Sequence, residues 1–240
     1  MNVGFERIYP TPPYPATASA AALAGLKWDS SPNVVKEFKE YLKPALRKVQ
    51  RGRCCFCRRL LYDDYATHIE HFVDKDQYPH FTFEILNLAL ACGTCNSRKN
   101  GYFSSMKAKR KRESRRSGLA FTPRCPVLAS ELPVGSPFPN NAEAFRWVSP
   151  HVDNFSSHIE LLKGWIFLGK TRKGIRTIRG IGLNDVGKIE QRALSERLEM
   201  RGGTLSVLVG AIPELSHHRA KDVAAAVGKA ITRRREIRAK

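Results

Sequence analysis

Two Cys-x-x-Cys pairs, Cys54/Cys57 in "RCCFC" and Cys92/Cys95 in "ACGTC", constrain this chain more than any other feature. Each pair can place two thiolates on one face of a tight knuckle. Four thiolates saturate a tetrahedral zinc ion and leave no open coordination position. The pattern therefore predicts a structural Zn²⁺ that staples the chain rather than a reactive metal. Residues 58–91, 34 in all, separate the pairs, which is too long for a simple ribbon. A small subdomain must fold between the two halves of the site. Cys55 would break the two-residue spacing if it replaced Cys54, so it reads as a bystander, and the isolated Cys125 reads as a packing residue. A redox role is disfavoured because no strand–helix–strand pattern flanks either pair.

The bulk numbers say what such a chain would meet. At 240 residues and 42% hydrophobic, it can bury one substantial domain. A net charge of +19 points to a polyanionic partner, nucleic acid first. No apolar run approaches the length that spans a bilayer. Glu6 and several prolines stand where a signal peptide would carry its apolar centre. The expected location is the reducing cytoplasm, where paired cysteines read as metal ligands rather than disulfides.

Along the chain, residues 1–30 form an arm with Phe5, Tyr9, Tyr14 and Trp28, aromatics that could anchor a partner or pack back on their own domain. Residues 31–52 read as a helix starting near Ser31-Pro32, with Val34, Val35, Phe38, Tyr41 and Leu42 at helical spacing and Gly52 as its stop. "KAKRKRESRRSG" (107–118) is a basic run. Residues 126–141 are irregular, and 144–169 hold two strand-like runs, "AFRWVSP" and "HIELLKGWIFLG". Asp153-Asn154 reads as a turn rather than part of a second metal site. The tail reads as helices at 184–200, 203–212 and 217–239. The division expected is 1–30, 31–118 and 119–240.

Between the cysteine pairs lie "THIEHF", ending in Glu70-His71, and "ILNLALAC", containing Asn87. Asn96 and Lys99 follow the last cysteine. A metal joining the pairs would draw these groups toward one cleft. Histidine can take a proton from water. Glutamate and asparagine offer oxygen ligands to a hard cation, and a second asparagine can hold an imidazole in one tautomer. These are the parts of metal-assisted phosphodiester hydrolysis.

The order Cys-x-x-Cys, Glu-His, Asn-Leu, Cys-x-x-Cys-Asn-x-x-Lys resembles that of HNH endonucleases with the ββα-metal fold. It covers residues 50–104. "IEHF…NLALACGTCNSRK" followed by "GIRTIRGIGLN" resembles one bacterial subgroup and extends the likeness to about residue 195. That subgroup includes the nuclease subunits of Septu-type anti-phage systems, which act beside an ATPase subunit, and related retron effectors. The resemblance implies an α+β chain, with a zinc-stapled HNH core embedded in a mainly helical domain with a few additional strands. It makes His71 the general base and Asn87 its orienting group, with Glu70 and Asn96 the ligands of a catalytic Mg²⁺ or Mn²⁺. Glu70 stands where aspartate is commoner, and Asn96 where histidine is.

Lys75, Lys99 and the basic run (Lys107, Lys109, Arg110, Lys111, Arg112) are the expected contacts to the nucleic-acid backbone, DNA before RNA. The competing expectation is a zinc-stapled nucleic-acid-binding module with no catalysis. The Glu70-His71/Asn87/Asn96 set favours the enzyme, since a binder has no need to hold it together.

Overall fold

The computed structural model describes residues 4–61, 67–122, 124–162 and 166–185, and six helical residues between 221 and 229. Apart from Asn184, Asp185 and those six, the helices expected from 184 onward lie outside the described residues. A short helix α1 (Ala20–Leu23) precedes α2 (Asn33–Val49). Helix α2 buries Val35, Phe38, Leu42 and Leu46, one face at helical spacing, and runs through Pro44. Arg47 and Lys48 sit in its last turn, where positive charge complements the helix dipole.

Strand β1 (Thr67–His71) pairs antiparallel with β2 (Leu88–Cys92), placing Thr67 opposite Cys92 and His71 opposite Leu88. Helix α3 (Gly93–Ser117) begins where β2 ends and stops at Gly118, whose φ of 69° is left-handed. The basic run of 107–116 is thus the outer half of one 25-residue helix. Only Cys95, Lys99 and Phe103 of that helix are buried, all in its first half.

Strand β2 is buried along its whole length, because α2 and the chain after it cover its outer side. Gln50, fully buried just past α2, makes that join. Its amide accepts from Leu90 N at 2.7 Å and donates to Leu90 O at 3.0 Å. This satisfies backbone groups that an edge strand would leave bare.

In the second half, a one-turn helix α4 (Phe155–His158) leads into the hairpin β3 (Ile159–Leu162) and β4 (Ile166–Gly169), followed by α5 (Arg172–Ile181). This corrects the two-run reading of 144–169. "HIELLKGWIFLG" is itself a hairpin. "AFRWVSP" is irregular, with one isolated bridge at Phe145, because Phe145 and Trp147 pack singly into the core. Trp147 meets Tyr102 and Phe103 of α3, and Gly180 of α5 lies so close that a Cβ there would sit 2.0 Å from the indole. Asn184 hydrogen-bonds both Phe167 N and Phe167 O, acting as a short strand along β4.

The arm is woven into this body. Phe155 N donates to Glu6 O, and Ile8 N donates to Pro150 O. The Arg58 guanidinium lies between the Phe5 and Phe155 rings, 3.7 and 4.1 Å from their centroids. Burial pushes its pKa down to about 10. Phe5 is buried, Tyr14 stacks on Phe38, and Trp28 tilts against Phe83. Of the four arm aromatics offered as partner anchors, only Tyr9 stands out, at 72% exposed.

His151 ties the second half to the hairpin, with its Nε2 2.8 Å from Leu88 O. The carbonyl can only accept, so Nε2 carries the proton, and Nδ1 is buried without a partner. Burial lowers the pKa of His151 to about 4. The unfolded chain takes up this proton from about pH 6.5 downward, while the folded chain refuses it until about pH 4. The stability contribution is therefore full above pH 6.5 and is lost as pH falls toward 4. Replacing His151 with Gln should flatten the loss of stability between pH 6.5 and 4 by up to about 1.4 kcal/mol per pH unit. Urea unfolding at pH 7, 5.5 and 4.5 measures it; parallel curves for the two proteins would refute it.

Candidate functional site

The knuckle at 53–60 folds back on itself. Arg58 N donates to Cys54 O and Cys54 N donates to Arg59 O, with Arg58 itself at φ 60°. This brings Cys54 and Cys57 under the junction of β2 and α3. Cys92 sits at the N-cap of α3, and its Sγ accepts from Cys95 N at 3.4 Å. Cys54 Sγ accepts from Cys92 N at 3.4 Å. All four Sγ atoms lie within 4.8 Å of one another and are buried. Cys57 and Cys92 are 3.9 Å apart. Two sulfurs on a tetrahedral zinc at 2.3 Å would be about 3.8 Å apart.

The electrostatics fit a divalent cation. Hydrogen bonds from Cys54, Cys57 and Cys95 pull the Cys92 thiol well below the ordinary range, while Cys57 and Cys95 are pushed well above it. Four buried thiols cannot all ionise beside one another, and a divalent cation removes that penalty. Cys55 and Cys125 are buried outside the quartet.

The opposite end of the hairpin carries the polar cleft, about 810 Å³, lined among others by Glu70, His71, Lys75, Asn96 and Lys99. His71 Nε2 lies 3.0 Å from Thr82 O. That carbonyl fixes the proton on Nε2 and leaves the Nδ1 lone pair free. Trp28 meets the imidazole edge-on, with ring centroids 4.5 Å apart. Burial holds the pKa of His71 down to about 3, so the ring is neutral.

The Asn87 side chain makes no hydrogen bond to His71. Its Oδ1 accepts from Val73 N at 2.6 Å, and its Nδ2 donates to Val73 O and Phe81 O. The hold on His71 comes instead from Thr82, next to Phe81. Asn87 acts one step back by pinning the loop that carries that carbonyl.

Lys99 also differs from its sequence reading as a phosphate contact. It is buried, donates to His71 O, and pairs with Glu70, whose side chain is 3% exposed. Its ammonium lies 4.5 Å from the Phe103 ring centroid. Glu70 Oε1 is in direct contact with the Lys99 ammonium. Burial raises the pKa of Glu70, and Lys99 only partly offsets the rise. Asn96 is half-buried in the first turn of α3, and its Oδ1 accepts from Asn100 at 3.3 Å. Among the described residues, the cysteine quartet is the only cluster of three or more His, Cys, Asp or Glu ligands. Glu70 and Asn96 line the same cleft.

Lys75 borders the cleft and pairs with Asp76 at 3.1 Å. Lys107 lines it, while Lys109, Lys111 and Arg112 are exposed farther along α3. Sequence reasoning missed Trp28, Thr82 and Arg124, the last also lining the cleft. Nothing local to those residues marks them.

No protein-family model matches the chain, and no solved structure matches it. It is similar to the Septu protein PtuB of Bacillus thuringiensis, with 26% identity over 152 residues. The alignment covers 63% of this chain and 44% of the relative, so the chain spans less than half the length of the protein it matches.

Two outcomes follow from this geometry. Cys92→Ala removes a ligand and the N-cap sulfur together, so bound zinc should be lost and the thermal transition should broaden or vanish. Retention of full zinc with an unchanged melt would refute the quartet. Lys99→Met leaves Glu70 buried without its counter-charge and should cost about 3–5 kcal/mol without added divalent cation. Lys99→Met combined with Glu70→Gln should recover much of that loss in urea unfolding at pH 8. No recovery would refute the pairing.

Proposed function

We propose that this chain is a metal-dependent HNH endonuclease that hydrolyses phosphodiester bonds in nucleic acid and serves bacterial anti-phage defence. The observation that carries the reading is the neutral imidazole of His71. It is fixed through Nε2 on a backbone carbonyl, and it lines the same cleft as the buried Glu70 carboxylate. The β1–β2–α3 order, with its thiol quartet at the strand–helix junction, supports the same reading. So does the similarity to a Septu protein. In this reading residues 31–118 form the nuclease core, 1–30 an arm, and 119–240 a supporting region.

His71 Nδ1 takes the proton from the attacking water, and Thr82 O keeps the other nitrogen protonated as charge develops on the ring. Trp28, backed by Phe83, covers one side of the imidazole and limits bulk water. Asn87 holds the 73–87 loop so that the Thr82 carbonyl stays in place. Glu70 and Asn96 would hold a Mg²⁺ or Mn²⁺, which supplies charge on the phosphoryl and leaving oxygens. Lys99 keeps Glu70 and the His71 backbone together from beneath. The zinc stays structural. By the same likeness the enzyme works beside an ATPase subunit in the cytoplasm. Among the described residues no helix is long and apolar enough to cross a membrane.

The competing reading, a binding module without catalysis, predicts no cutting at all. His71→Ala separates the two. It should lower the cleavage rate on plasmid DNA or total RNA with Mg²⁺ or Mn²⁺ by about 10²–10⁴-fold, with zinc content and nucleic-acid binding retained. Equal rates for wild type and variant would sink the assignment of the base, and no cleavage by either would favour the binding module.

A further inference from the structure

Beyond the cleft, toward the second half of the chain, four arginines from three separate regions draw together. Arg124 and Arg146 both donate to one carbonyl, Ala129 O, at 2.9 and 3.2 Å. Two guanidiniums on a single oxygen hold like charges side by side. Arg110 of α3 and Arg176 of α5 add to the field at Arg146. Among the described residues none of the four forms an ion pair with a carboxylate. The acid that faces Arg146, Glu131, has its Oε2 engaged by Tyr78 Oη at 2.7 Å and Gln77 Nε2 at 3.0 Å. Burial, and then Arg124, Arg176 and Arg110, lower the pKa of Arg146, as expected of a cation crowded by its own kind.

Such a cluster is unfavourable in the free protein, and an anion relieves it. The cluster is also placed to meet one particular anion. Arg124 lines the cleft that holds His71, so the positive surface is continuous from the proposed site of cutting outward. Arginine presents a planar fork that engages phosphate oxygens with two donors, where lysine offers a point charge.

We infer that Arg124, Arg146, Arg110 and Arg176 form a second backbone-binding site, gripping phosphates of the nucleic-acid strand that leaves the cleft. The inference rests on nucleic acid as the substrate, but not on catalysis. The site shares only Arg110 with the basic run of α3, and Arg124, Arg146 and Arg176 lie outside that helix. This site spans α3, the 124–146 segment and α5, and so fixes the strand's direction across the body of the protein.

The test is binding of a fluorescent 20-base-pair DNA duplex, and of a single-stranded RNA of the same sequence, to full-length protein without added divalent cation. Salt is varied and the slope of log K against log[salt] is read. Arg124→Gln with Arg146→Gln should weaken binding at least tenfold at moderate salt. It should make the slope shallower by about 1.8 on duplex DNA and about 1.4 on single-stranded RNA, for two lost phosphate contacts. Arg110→Gln with Arg176→Gln, on independent elements, should act in the same direction. Thermal melts check that both variants are folded. The expected change on one probe with none on the other identifies the strand gripped. Unchanged slopes in both variants on both probes overturn the inference, as does unchanged nucleic-acid affinity with lost binding to polyglutamate, which would assign the patch to an acidic protein. Binding with the expected slopes but no cleavage would refute the nuclease reading alone.

Discussion

Everything about this site depends on the thiol quartet, because it fixes where β2 stops and α3 starts. Cys92 is at once the last residue of β2, the N-cap of α3 and a member of the quartet. A zinc held there cannot move without moving a strand and a helix. Strand β1 inherits its position from β2 through five paired residues, and with it Glu70 and His71. A metal held there would be a positioning device at one end of a hairpin whose other end carries the His71 cleft. That arrangement explains how a modest two-stranded sheet holds the His71 imidazole in place. An isolated hairpin in water is marginal at best.

The polar interior follows from the same frame. Glu70 and Lys99 come from β1 and α3, 29 positions apart in sequence, and meet because the quartet sets the angle between hairpin and helix. Their burial is tolerable only as a pair, and even so burial leaves the pKa of Glu70 raised. Asn87 belongs to the same economy of polar groups. Its amide replaces a missing stretch of sheet between Val73 and Phe81, so the loop after β1 is held by side-chain rather than ladder hydrogen bonds.

How much of this could be read beforehand depended on range. The cysteine pairs were legible because ligand spacing is a local signal, and α2 because Val35, Phe38, Leu42 and Leu46 repeat at helical period. Of the hairpin, only "THIEHF" had the look of a strand by itself; a second strand was implied by the resemblance to the ββα-metal fold. Lys99 was misjudged because its partner Glu70 is distant in sequence, and an isolated lysine after a cysteine knuckle looks like a surface charge. Asn87 was placed one contact too close to His71, since nothing in "ILNL" distinguishes holding a ring from holding a loop. The arm was left open between docking a partner and packing back, because the contacts that settle Phe5, Tyr14 and Trp28, namely Arg58, Phe38 and Phe83, are distant in sequence. The hairpin in "HIELLKGWIFLG" did have a signal, Gly164 in mid-run. "AFRWVSP" had strand composition without a strand partner, and burial of single aromatics explains its residue types better than pairing does.

Helix α3 shows how one element can serve two kinds of electrostatics. Its first half buries Cys95, Lys99 and Phe103, and the one buried cation there is matched to a buried anion. Its second half buries nothing, so the charges from Lys107 to Arg116 keep their hydration and cost the fold little. Lysine and arginine are also good helix formers, which lets the helix continue past the last packing contact without an apolar stripe. Of these charges, Lys109 meets Glu113 across one turn at 3.8 Å, too exposed a pair to neutralise the run. The excess of positive charge is therefore concentrated outside the core, next to the cleft, where a polyanion can reach it.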